Sequence, residues 1–527
     1  MTSREQEHSR FAAIFAGGTL LSRGLGLVRD IVLTLLPSAS RDAFFLAFRL
    51  PNMFRDLVGE GAANAAFIPV YSETLAKKSE AEFRELVSAA MSAMLLILAA
   101  MTAAGVFLMP YVLQGITRLE AVTGTVPPSP GEIASMISLA RWTFPYLFFI
   151  GLATFAMGPL MSSKRYGSSS WSPALLNVSL IATCLLFRGR FADPAYALVL
   201  GVWLGGLAQF GVQYLSLGMA TGVWLPNFKL GHPRLAVIFG LLIPVLLGQA
   251  AGEVNKLVDA LFAASLGEGT QSALWYSNRL IQLPLAVFGI ATSVAILPSL
   301  SQSAAREELA EMRHTLLHGF RQSFFLVFPA MLGLMVMSRP LTNLLFEWND
   351  FGANDTLMTS TALVYYGAGL LSFVWIKVAV TGFFAMKDTR TPVVIASASM
   401  LLNIGLNFLL VGPMQYRGLA LATTISFSVN MALLLVFLAR RIGLRVDRES
   451  SLSLVKTAVA ATVMAAIAWL CHWGLATMFS GDEFYARILA TLGPIAVAVG
   501  VYAAVCRLLH VPELGHFLAG IRSRQSQ

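Results

Sequence analysis

Long stretches without charge limit the possible folds of this chain more than any other feature. Most of them have the length of one membrane-crossing helix, for which about 20 consecutive apolar residues are needed. Eleven stretches lack Asp, Glu, Lys and Arg: 87–117, 142–163, 166–187, 194–228, 235–252, 322–338, 356–376, 391–416, 418–439, 457–481 and 488–506. Charges interrupt three further apolar stretches, near 11–36, 43–70 and 271–298. The pattern predicts an all-α polytopic membrane protein with about 14 transmembrane helices.

The composition agrees with a membrane protein and excludes other classes. Of the 527 residues, 56% are hydrophobic and only 12% are charged, about half the charged fraction of soluble domains. The net charge of +9 comes from loop residues that anionic lipid headgroups attract, so we expect no nucleic-acid partner. The three cysteines show no paired spacing, which predicts neither a disulfide framework nor a metal site.

Lys and Arg in the short loops predict the orientation of the chain. They concentrate in the N-terminus and in alternate loops, for example Lys77 and Lys78, Lys164 and Arg165, and Arg440 and Arg441. Both termini are therefore expected in the cytoplasm, which agrees with an even number of helices. The polar N-terminal sequence MTSREQEHSR and the lack of a small-residue cleavage pattern predict no cleavable signal peptide.

Three pairs of similar segments predict an internal repeat. They recur in order at an offset of about 226–230 residues: LVRDIVL with KLVDALF, FRLPNMF…FIPVYS with NRLIQLP…ILPSLS, and SKRYGSSSWSPALLN with MKDTRTPVVIASASMLLN. The offset predicts two six-helix lobes, 10–228 and 234–443, and an additional helix pair, 452–510. Because six is even, the lobes should be related by a pseudo-twofold axis along the membrane normal, as in transporters with parallel repeats.

Charges within the apolar stretches cluster in the first two helices of each predicted lobe. Each costs about 2.5–3.5 kcal/mol at a helix centre, so they normally face a partner or a water-filled cavity. Arg23, Arg29, Arg55 and Arg279 are predicted to form a cationic cavity, since the arginine fork suits phosphate. The alternative is that each arginine pairs with a nearby carboxylate and ties helices together.

The spacing within the first helix supplies a more local expectation. Arg23 and Asp30 are seven residues apart and share a helix face. Arg29 lies off that face by more than a quarter turn, unless Gly24 and Gly26 let the helix bend.

A second group of polar residues falls on helices 7, 11 and 12. Asn403 and Asn407 are four apart on one face, and Asp259 and Thr423 lie on the other two helices. Carboxylate, amide and hydroxyl oxygens suit a small hard cation, but interhelical hydrogen bonds explain such residues equally well. Lys256 is close enough in sequence to pair with Asp259 as a built-in countercharge.

Several motifs together resemble the MviN/MurJ family of lipid II flippases, within the multidrug/oligosaccharidyl-lipid/polysaccharide exporter superfamily. They run in order along nearly the whole chain: SRGLGLVRD, DAFFLAFRLPNMFR, GEGAANAAFIPV, the PALLN of helix 5, YSNRLIQLPLAVFG and KDTRTPV. The resemblance implies two six-helix lobes and two additional C-terminal helices that form a groove for a polyprenyl tail. It also implies transport of undecaprenyl-pyrophosphate-linked disaccharide pentapeptide from the cytoplasmic to the periplasmic leaflet of the bacterial inner membrane.

The same resemblance assigns residues to the site. The residues that match the family's substrate-binding and important acidic positions are Arg23, Arg29, Arg55, Arg279, Asp30, Asp42, Glu60 and Asn177. Some relatives bind sodium, and the matching positions are Asp259, Asn403, Asn407, Leu419 (through its carbonyl) and Thr423. This chain has Asn407 where such relatives can have Asp, and Lys256 where an apolar residue is usual, so a cavity lysine is an alternative to the sodium ion.

The expected mechanism is alternating access by a protein that is not an enzyme and works as a monomer. The arginines hold the pyrophosphate, and the tail stays in the bilayer along the C-terminal helices. Membrane potential, or an ion gradient acting through Asp259, is the candidate energy source. The alternatives are a flippase for another lipid-linked oligosaccharide, a multidrug exporter, which an arginine-rich cavity disfavours, and a membrane-embedded glycosyltransferase or ligase, which normally needs a large catalytic loop.

Overall fold

A computed structural model describes residues 17–18, 21–57, 66–123, 129–165, 167–478, 484–515 and 517. All regular secondary structure in these ranges is helical. The predicted all-α fold class is therefore confirmed.

Contacts divide the chain into two compact units, and the division falls between Gln271 and Ser272. Trp348–Phe351 belongs to the first unit, although the residues on either side of this segment belong to the second. The predicted lobe boundaries near 228–234 and the pseudo-twofold axis are not tested by this division and stay predictions.

The first unit contains nine helices among its described residues. They are α1 (21–33), α2 (Ser38–Asp56), α3 (Ile68–Lys77), α4 (Glu80–Thr123), α5 (Pro130–Thr143), α6 (Tyr146–Ser162), α7 (Gly167–Phe187), α8 (Ala195–Thr221) and α9 (Pro233–Ala264). Its core lies where α3, α4, α6 and α9 meet, around the buried rings of Phe67, Tyr71, Phe83 and Phe155.

The second unit contains the remaining helices, of which α10 begins just before the boundary. They are α10 (Thr270–Pro284), α11 (Ala291–Ala305), α12 (Leu309–Val336), α13 (Ser338–Phe346), α14 (Ala353–Ala368), α15 (Leu370–Ala385), α16 (Arg390–Met414), α17 (Tyr416–Ile442), α18 (Arg448–Met478) and α19 (Phe484–Leu508). A π-helical stretch, Leu285–Ile290, joins α10 to α11. Leu316, Phe383 and Leu438 lie at the centre of one core cluster.

Within the described residues, ten segments are long and apolar enough to cross a membrane. They are Glu80–Gly115, Pro130–Ser162, Gly167–Arg190, Ala195–Thr221, Leu309–Val336, Ala353–Ala385, Arg390–Met414, Tyr416–Ile442, Arg448–Met478 and Phe484–Leu508. The other predicted spans fall on α1, α2, α9 and α10–α11, which are short or interrupted by charges. The chain is thus a multi-pass membrane protein, and the count of about 14 helices stays a prediction.

One observed span, Pro130–Ser162, begins earlier than the charge-free stretch 142–163 that predicted it. The segment Pro130–Ser162 contains two helices, α5 and α6, that meet at Phe144 and Pro145, because a proline nitrogen has no hydrogen to donate to the preceding turn. Ser129 begins α5 with a capping box, in which the Glu132 nitrogen donates to Ser129 Oγ at 3.3 Å and the Ser129 nitrogen donates to Glu132 Oε2 at 2.7 Å.

Glycines let α7 and α8 pack closely. A Cβ atom on Gly205 would lie 2.9 Å from Cα of Leu176, and one on Gly201 would lie 3.1 Å from Cα of Leu180. Small residues at helix contacts are typical of membrane proteins, because they let the backbones approach. This contact fixes the part of α7 that carries Asn177.

The last two helices pack against each other, and α18 also packs against α12. Buried contacts at this surface include Phe325 on α12, Ala460 on α18 and Cys506 on α19. At one end of the surface, Arg321 Nε donates to Glu513 Oε1 at 2.7 Å, and Ser453 Oγ donates to Glu513 Oε2 at 2.6 Å. An ion pair therefore holds the segment after α19 against α12 and α18.

Candidate functional site

Arg29 and Asp30 form a buried ion pair on α1. Arg29 Nε and Nη2 both donate to Asp30 Oδ1, at 3.0 and 2.6 Å, and the two side chains are only 9% and 0% exposed. Successive helical residues point about 100° apart, so the long arginine side chain folds back to reach its neighbour. The sequence predicted that Arg29 lies more than a quarter turn from the helix face of Asp30, yet the two side chains meet. The helix α1 also continues without a break through Gly24 and Gly26.

Asn177 extends this pair into a network between α1 and α7. Its amide oxygen accepts from Arg29 Nη1 at 3.1 Å, and its amide nitrogen donates to the carbonyl of Ser22 at 2.9 Å. The structure thus brings together three residues that the sequence assigned to the site. A guanidinium has five N–H groups, so the three hydrogen bonds leave donors on Arg29 that can reach a further anion.

Arg23 lies six residues before Arg29 on α1 and is half-buried. Because α1 is continuous between residues 23 and 30, the predicted shared face of Arg23 and Asp30 follows from helix geometry. Arg23 is the more accessible of the two arginines on this helix.

Arg55 and Asp56 repeat the arginine–aspartate pair at the end of α2. Arg55 Nε and Nη2 donate to Asp56 Oδ1 at 3.1 and 2.7 Å, but here the side chains are 30% and 27% exposed. The buried ring of Tyr146, at the start of α6, places its hydroxyl where it interacts electrostatically with Arg55, Asp56 and Arg29. Tyr146 was missed in the sequence, since nothing in an apolar run distinguishes a tyrosine beside charges from one in the core.

The other acidic positions of the first unit have different surroundings. Asp42 on α2 is buried, and its Oδ2 accepts from the backbone nitrogen of Gly269 at 2.7 Å. Gly269 has a positive φ of 86°, a conformation that glycine adopts at no steric cost, and Asp42 thereby holds the loop before α10. Glu60 lies outside the described residues.

Arg41, next to Asp42, is an unforeseen buried charge. Its side chain is completely buried, its guanidinium lies 4.9 Å from the ring centre of Phe351, and Nη1 donates to the carbonyl of Thr34 at 3.3 Å. The sequence places Arg41 in a loop, and only the packing of the segment Trp348–Phe351 within the first unit explains its burial.

Arg279 is half-buried on α10 in the second unit. Arg23, Arg29 and Arg55 belong to the first unit. The predicted cavity of four arginines therefore stays a prediction.

Four of the five predicted sodium ligands are joined by hydrogen bonds within the second unit. Asn407 Nδ2 donates to Asn403 Oδ1 at 3.1 Å, Asn403 Nδ2 donates to Thr423 Oγ1 at 3.4 Å, and Thr423 Oγ1 donates to the carbonyl of Leu419 at 3.0 Å. The shared face of Asn403 and Asn407 is confirmed, and both side chains are buried. Ser426 also joins this amide cluster, as it accepts from Asn403 at 3.3 Å.

The amide cluster supplies neutral oxygens that fit a small cation, but its hydrogen bonds from Asn403 Nδ2 to Thr423 Oγ1 and Ser426 Oγ also join α16 to α17. Both alternatives raised by the sequence therefore agree with its geometry. The fifth predicted ligand, Asp259, lies on α9 in the first unit and accepts from Asn255 Nδ2 at 3.4 Å. Lys256 donates to Glu253, one turn earlier on α9. Its spacing had suggested Asp259, one turn later, as a partner.

Comparisons with known proteins agree with this architecture. A family model described as "Lipid II flippase MurJ" matches residues 33–488. A Haemophilus influenzae protein named "Probable lipid II flippase MurJ" is 35% identical over 508 residues, which cover 94% of this chain and 98% of that protein.

Solved structures extend the likeness to the fold. A structure titled "Lipid II flippase MurJ, inward closed conformation" matches with a TM-score of 0.76 at 24% identity, covering 94% of this chain and 99% of the other. An inward-facing multidrug resistance MATE family transporter of the MOP superfamily matches with a TM-score of 0.65 at 14% identity, covering 82% and 98% of the two chains. At these identities the structural likeness shows the fold alone.

Proposed function

The chain belongs to the MurJ family of lipid II flippases, and from this premise we propose that it moves lipid II from the cytoplasmic to the periplasmic leaflet of the bacterial inner membrane. The observation that carries the proposal is the match of the family model to residues 33–488, together with a relative named as a probable lipid II flippase that matches 94% of the chain. The family is one of transporters, so an enzymatic activity is not proposed. The MATE-like fold gives no separate support to drug export, because a likeness at 14% identity concerns the fold only.

The arginines supply the chemistry that a pyrophosphate headgroup needs. Arginine presents paired N–H donors that match phosphate oxygens and stays charged at all relevant pH values. Arg29 is held by Asp30 and Asn177 with donors to spare, and Arg55 is partly exposed beside Asp56. We assign Arg23, Arg29, Arg55 and Arg279 to the pyrophosphate, with Asp30, Asp42, Glu60 and Asn177 as supporting polar groups.

The proposed mechanism is alternating access by a monomer with both termini in the cytoplasm. The headgroup enters a polar cavity, and the polyprenyl tail stays in the bilayer along α18 and α19. Net outward movement requires an energy source, since a ligand shifts conformational populations only by its differential affinity. Membrane potential or a sodium gradient is the proposed source.

The proposed sodium ligands are Asp259, Asn403, Asn407, the carbonyl of Leu419, and Thr423. Sodium should raise the thermal denaturation midpoint of the purified protein more than potassium at equal ionic strength, because a ligand stabilises the state that it binds. The Asp259→Asn variant should lose this difference. Equal midpoints in sodium and potassium for the unmodified protein would contradict the sodium site and favour Lys256 as the resident charge.

The function is tested by complementation of a bacterial strain depleted of its lipid II flippase. The unmodified chain should restore growth, and Arg279→Ala at matched expression and membrane insertion should not. Arg190→Ala is the control, because Arg190 is exposed in a short 3₁₀ turn, Arg188–Arg190, and its loss should not affect growth. Failure of the inserted, unmodified chain to restore growth would contradict lipid II transport, whereas growth with Arg279→Ala would contradict only the role of that arginine.

A further inference from the structure

The first unit contains an apolar cavity among α4, α6 and α8. Its volume is about 340 Å³, near the lower end of the range of about 300–1,000 Å³ that is usual for ligand pockets. The lining side chains are almost all apolar or aromatic, and include Leu95 on α4, Phe155 on α6 and Phe210 on α8. The cavity therefore suits a narrow apolar guest.

Tyr214 is the one hydroxyl-bearing side chain among the lining residues, and it does not make the cavity polar. Its hydroxyl donates to the backbone carbonyl of Trp224. A cavity without free polar groups does not hold water well, whereas apolar molecules enter such cavities readily.

The segment after α8 places the cavity at a membrane interface. It exposes Trp224, Leu225 and Phe228, of which Leu225 is 74% exposed. Large apolar side chains in a polar, cation-bearing connection are typical of the region between lipid headgroups and acyl chains. Pro226 of the same segment lines the cavity, so the cavity lies directly beside this segment.

Hydrogen bonds hold this exposed segment in place against α4. Ser88 Oγ donates to the carbonyl of Leu225 at 2.6 Å, and the nitrogen of Phe228 donates to Ser92 Oγ at 2.9 Å. Gly218 lets the ring of Trp224 lie directly on α8, since a Cβ atom there would come within 2.4 Å of the ring. The segment is therefore held with Leu225 and Phe228 exposed, beside helices that belong to membrane-crossing segments.

We propose that this cavity binds one acyl chain of a bilayer phospholipid. The cavity is bounded by three helices that belong to membrane-crossing segments, so the surrounding acyl chains are the apolar molecules that reach it at the highest concentration. A long polyprenyl chain would fit only over a small part of its length. Two cations adjoin the segment that carries Pro226: Lys229 in the segment itself pairs with Glu85 at 2.8 Å, and Arg84, beside Gly222, pairs with Glu80 at 3.3 Å. These exposed pairs are weak enough for a lipid phosphate to compete.

The inference goes beyond the proposed transport function, because none of the assigned headgroup or sodium residues lines the cavity. The bound phospholipid occupies this cavity of the first unit and stays bound to the protein. It is not the transported substrate.

Neighbouring leucines on α4 allow a matched test. Leu95 lines the cavity, whereas Leu96 is 44% exposed on the outer surface of the same helix. The variants Leu95→Trp and Leu96→Trp add the same side chain, but only the first fills the cavity. The unmodified protein and both variants are purified from membranes, washed extensively in detergent, and analysed by native mass spectrometry.

The unmodified protein and Leu96→Trp should retain one phospholipid through the washing, and Leu95→Trp should retain none. Thermal denaturation of both variants checks that they are folded. Equal retention by the two variants would overturn the proposal, as would an unmodified protein without lipid. A retained molecule with the mass of a polyprenyl lipid would also overturn it. Complementation tests the transport function separately, so failure of one idea leaves the other standing.

Discussion

The same dipeptide, Arg-Asp, occurs at 29–30 on α1 and at 55–56 on α2 with nearly the same hydrogen bonds and very different surroundings. In both pairs Nε and Nη2 of the arginine donate to Oδ1 of the next residue, at 3.0 and 2.6 Å in the first and at 3.1 and 2.7 Å in the second. The first pair is almost completely buried, and the second is about 30% exposed. Arg29 also donates to Asn177 on α7, whereas Arg55 interacts with Tyr146 at the start of α6.

Local geometry therefore does not decide what an intramembrane charge pair contributes to stability. A buried pair leaves an uncompensated charge when one partner is removed, and that costs about 3–5 kcal/mol. An exposed pair contributes about 0–1 kcal/mol. The Arg29–Asp30 pair should therefore matter for both folding and substrate binding, and the Arg55–Asp56 pair mainly for binding.

The largest effect on stability is expected for Arg29→Ala. It leaves Asp30 buried without its cation, so the free energy of unfolding should fall by about 3–5 kcal/mol, seen as a lower thermal denaturation midpoint in detergent. The double variant Arg29→Ala/Asp30→Ala should recover much of the loss, because no charge remains buried. If the single variant were as stable as the unmodified protein, the pair would not be buried as described.

A smaller loss of stability is expected for Asn177→Leu, which keeps the branching at Cγ but has no polar side-chain atoms. It removes the hydrogen bond to Arg29 and the one to the Ser22 carbonyl, and leaving such buried groups unsatisfied costs about 1–3 kcal/mol. The same midpoint measurement applies. Val178→Leu is a control on the same helix, since Val178 is 49% exposed and its change should have little effect.

Arg55→Ala should separate stability from transport. Its free energy of unfolding should change by less than about 1 kcal/mol, because the pair with Asp56 is partly exposed. Complementation of the flippase-depleted strain should nevertheless fail, since a headgroup-binding cation is lost. Growth equal to that of the unmodified protein would show that Arg55 does not contribute to binding, and Arg55→Lys tests whether charge alone suffices.

The smallest effect is expected from the ion pair of Arg321 with Glu513, a carboxylate that lies after the last membrane-crossing segment, Phe484–Leu508. Burial by itself would raise the pKa of Glu513, but hydrogen bonds from Ser453, from its own backbone and from Arg321 hold that pKa below the ordinary value of 4.5. The pair therefore stabilises the fold above pH 4.5, and its contribution is lost as the pH falls below that value and through the lower pKa of the folded state.

Thermal midpoints at pH 7 and pH 4 test this titration. The unmodified protein should lose more stability on acidification than Glu513→Gln, whose side chain does not titrate. An equal loss in both proteins would show that Glu513 does not contribute to the acid sensitivity.

Sequence patterns predicted the residues of the candidate site better than their partners. Asp30 and Asn177 were expected near the arginines from the resemblance, and the Asn403–Asn407 face followed from helical spacing. The burial of Arg41 under Phe351, the position of Tyr146 beside Arg55, and the pairing of Lys256 with Glu253 were missed. The first two depend on contacts between residues far apart in the chain, and the third depends on the choice between two carboxylates, each one turn away.

The helical fold and the membrane spans could be predicted from the amino-acid sequence, because the cost of burying charge and the length of a bilayer span act on each segment independently. The sequence also determined which few segments carry the charges. Only the tertiary structure decided which of two identical Arg-Asp pairs is buried, and which apolar helices leave a cavity between them. Burial is a property of the neighbours that a residue acquires on folding, and those neighbours come from distant parts of the chain.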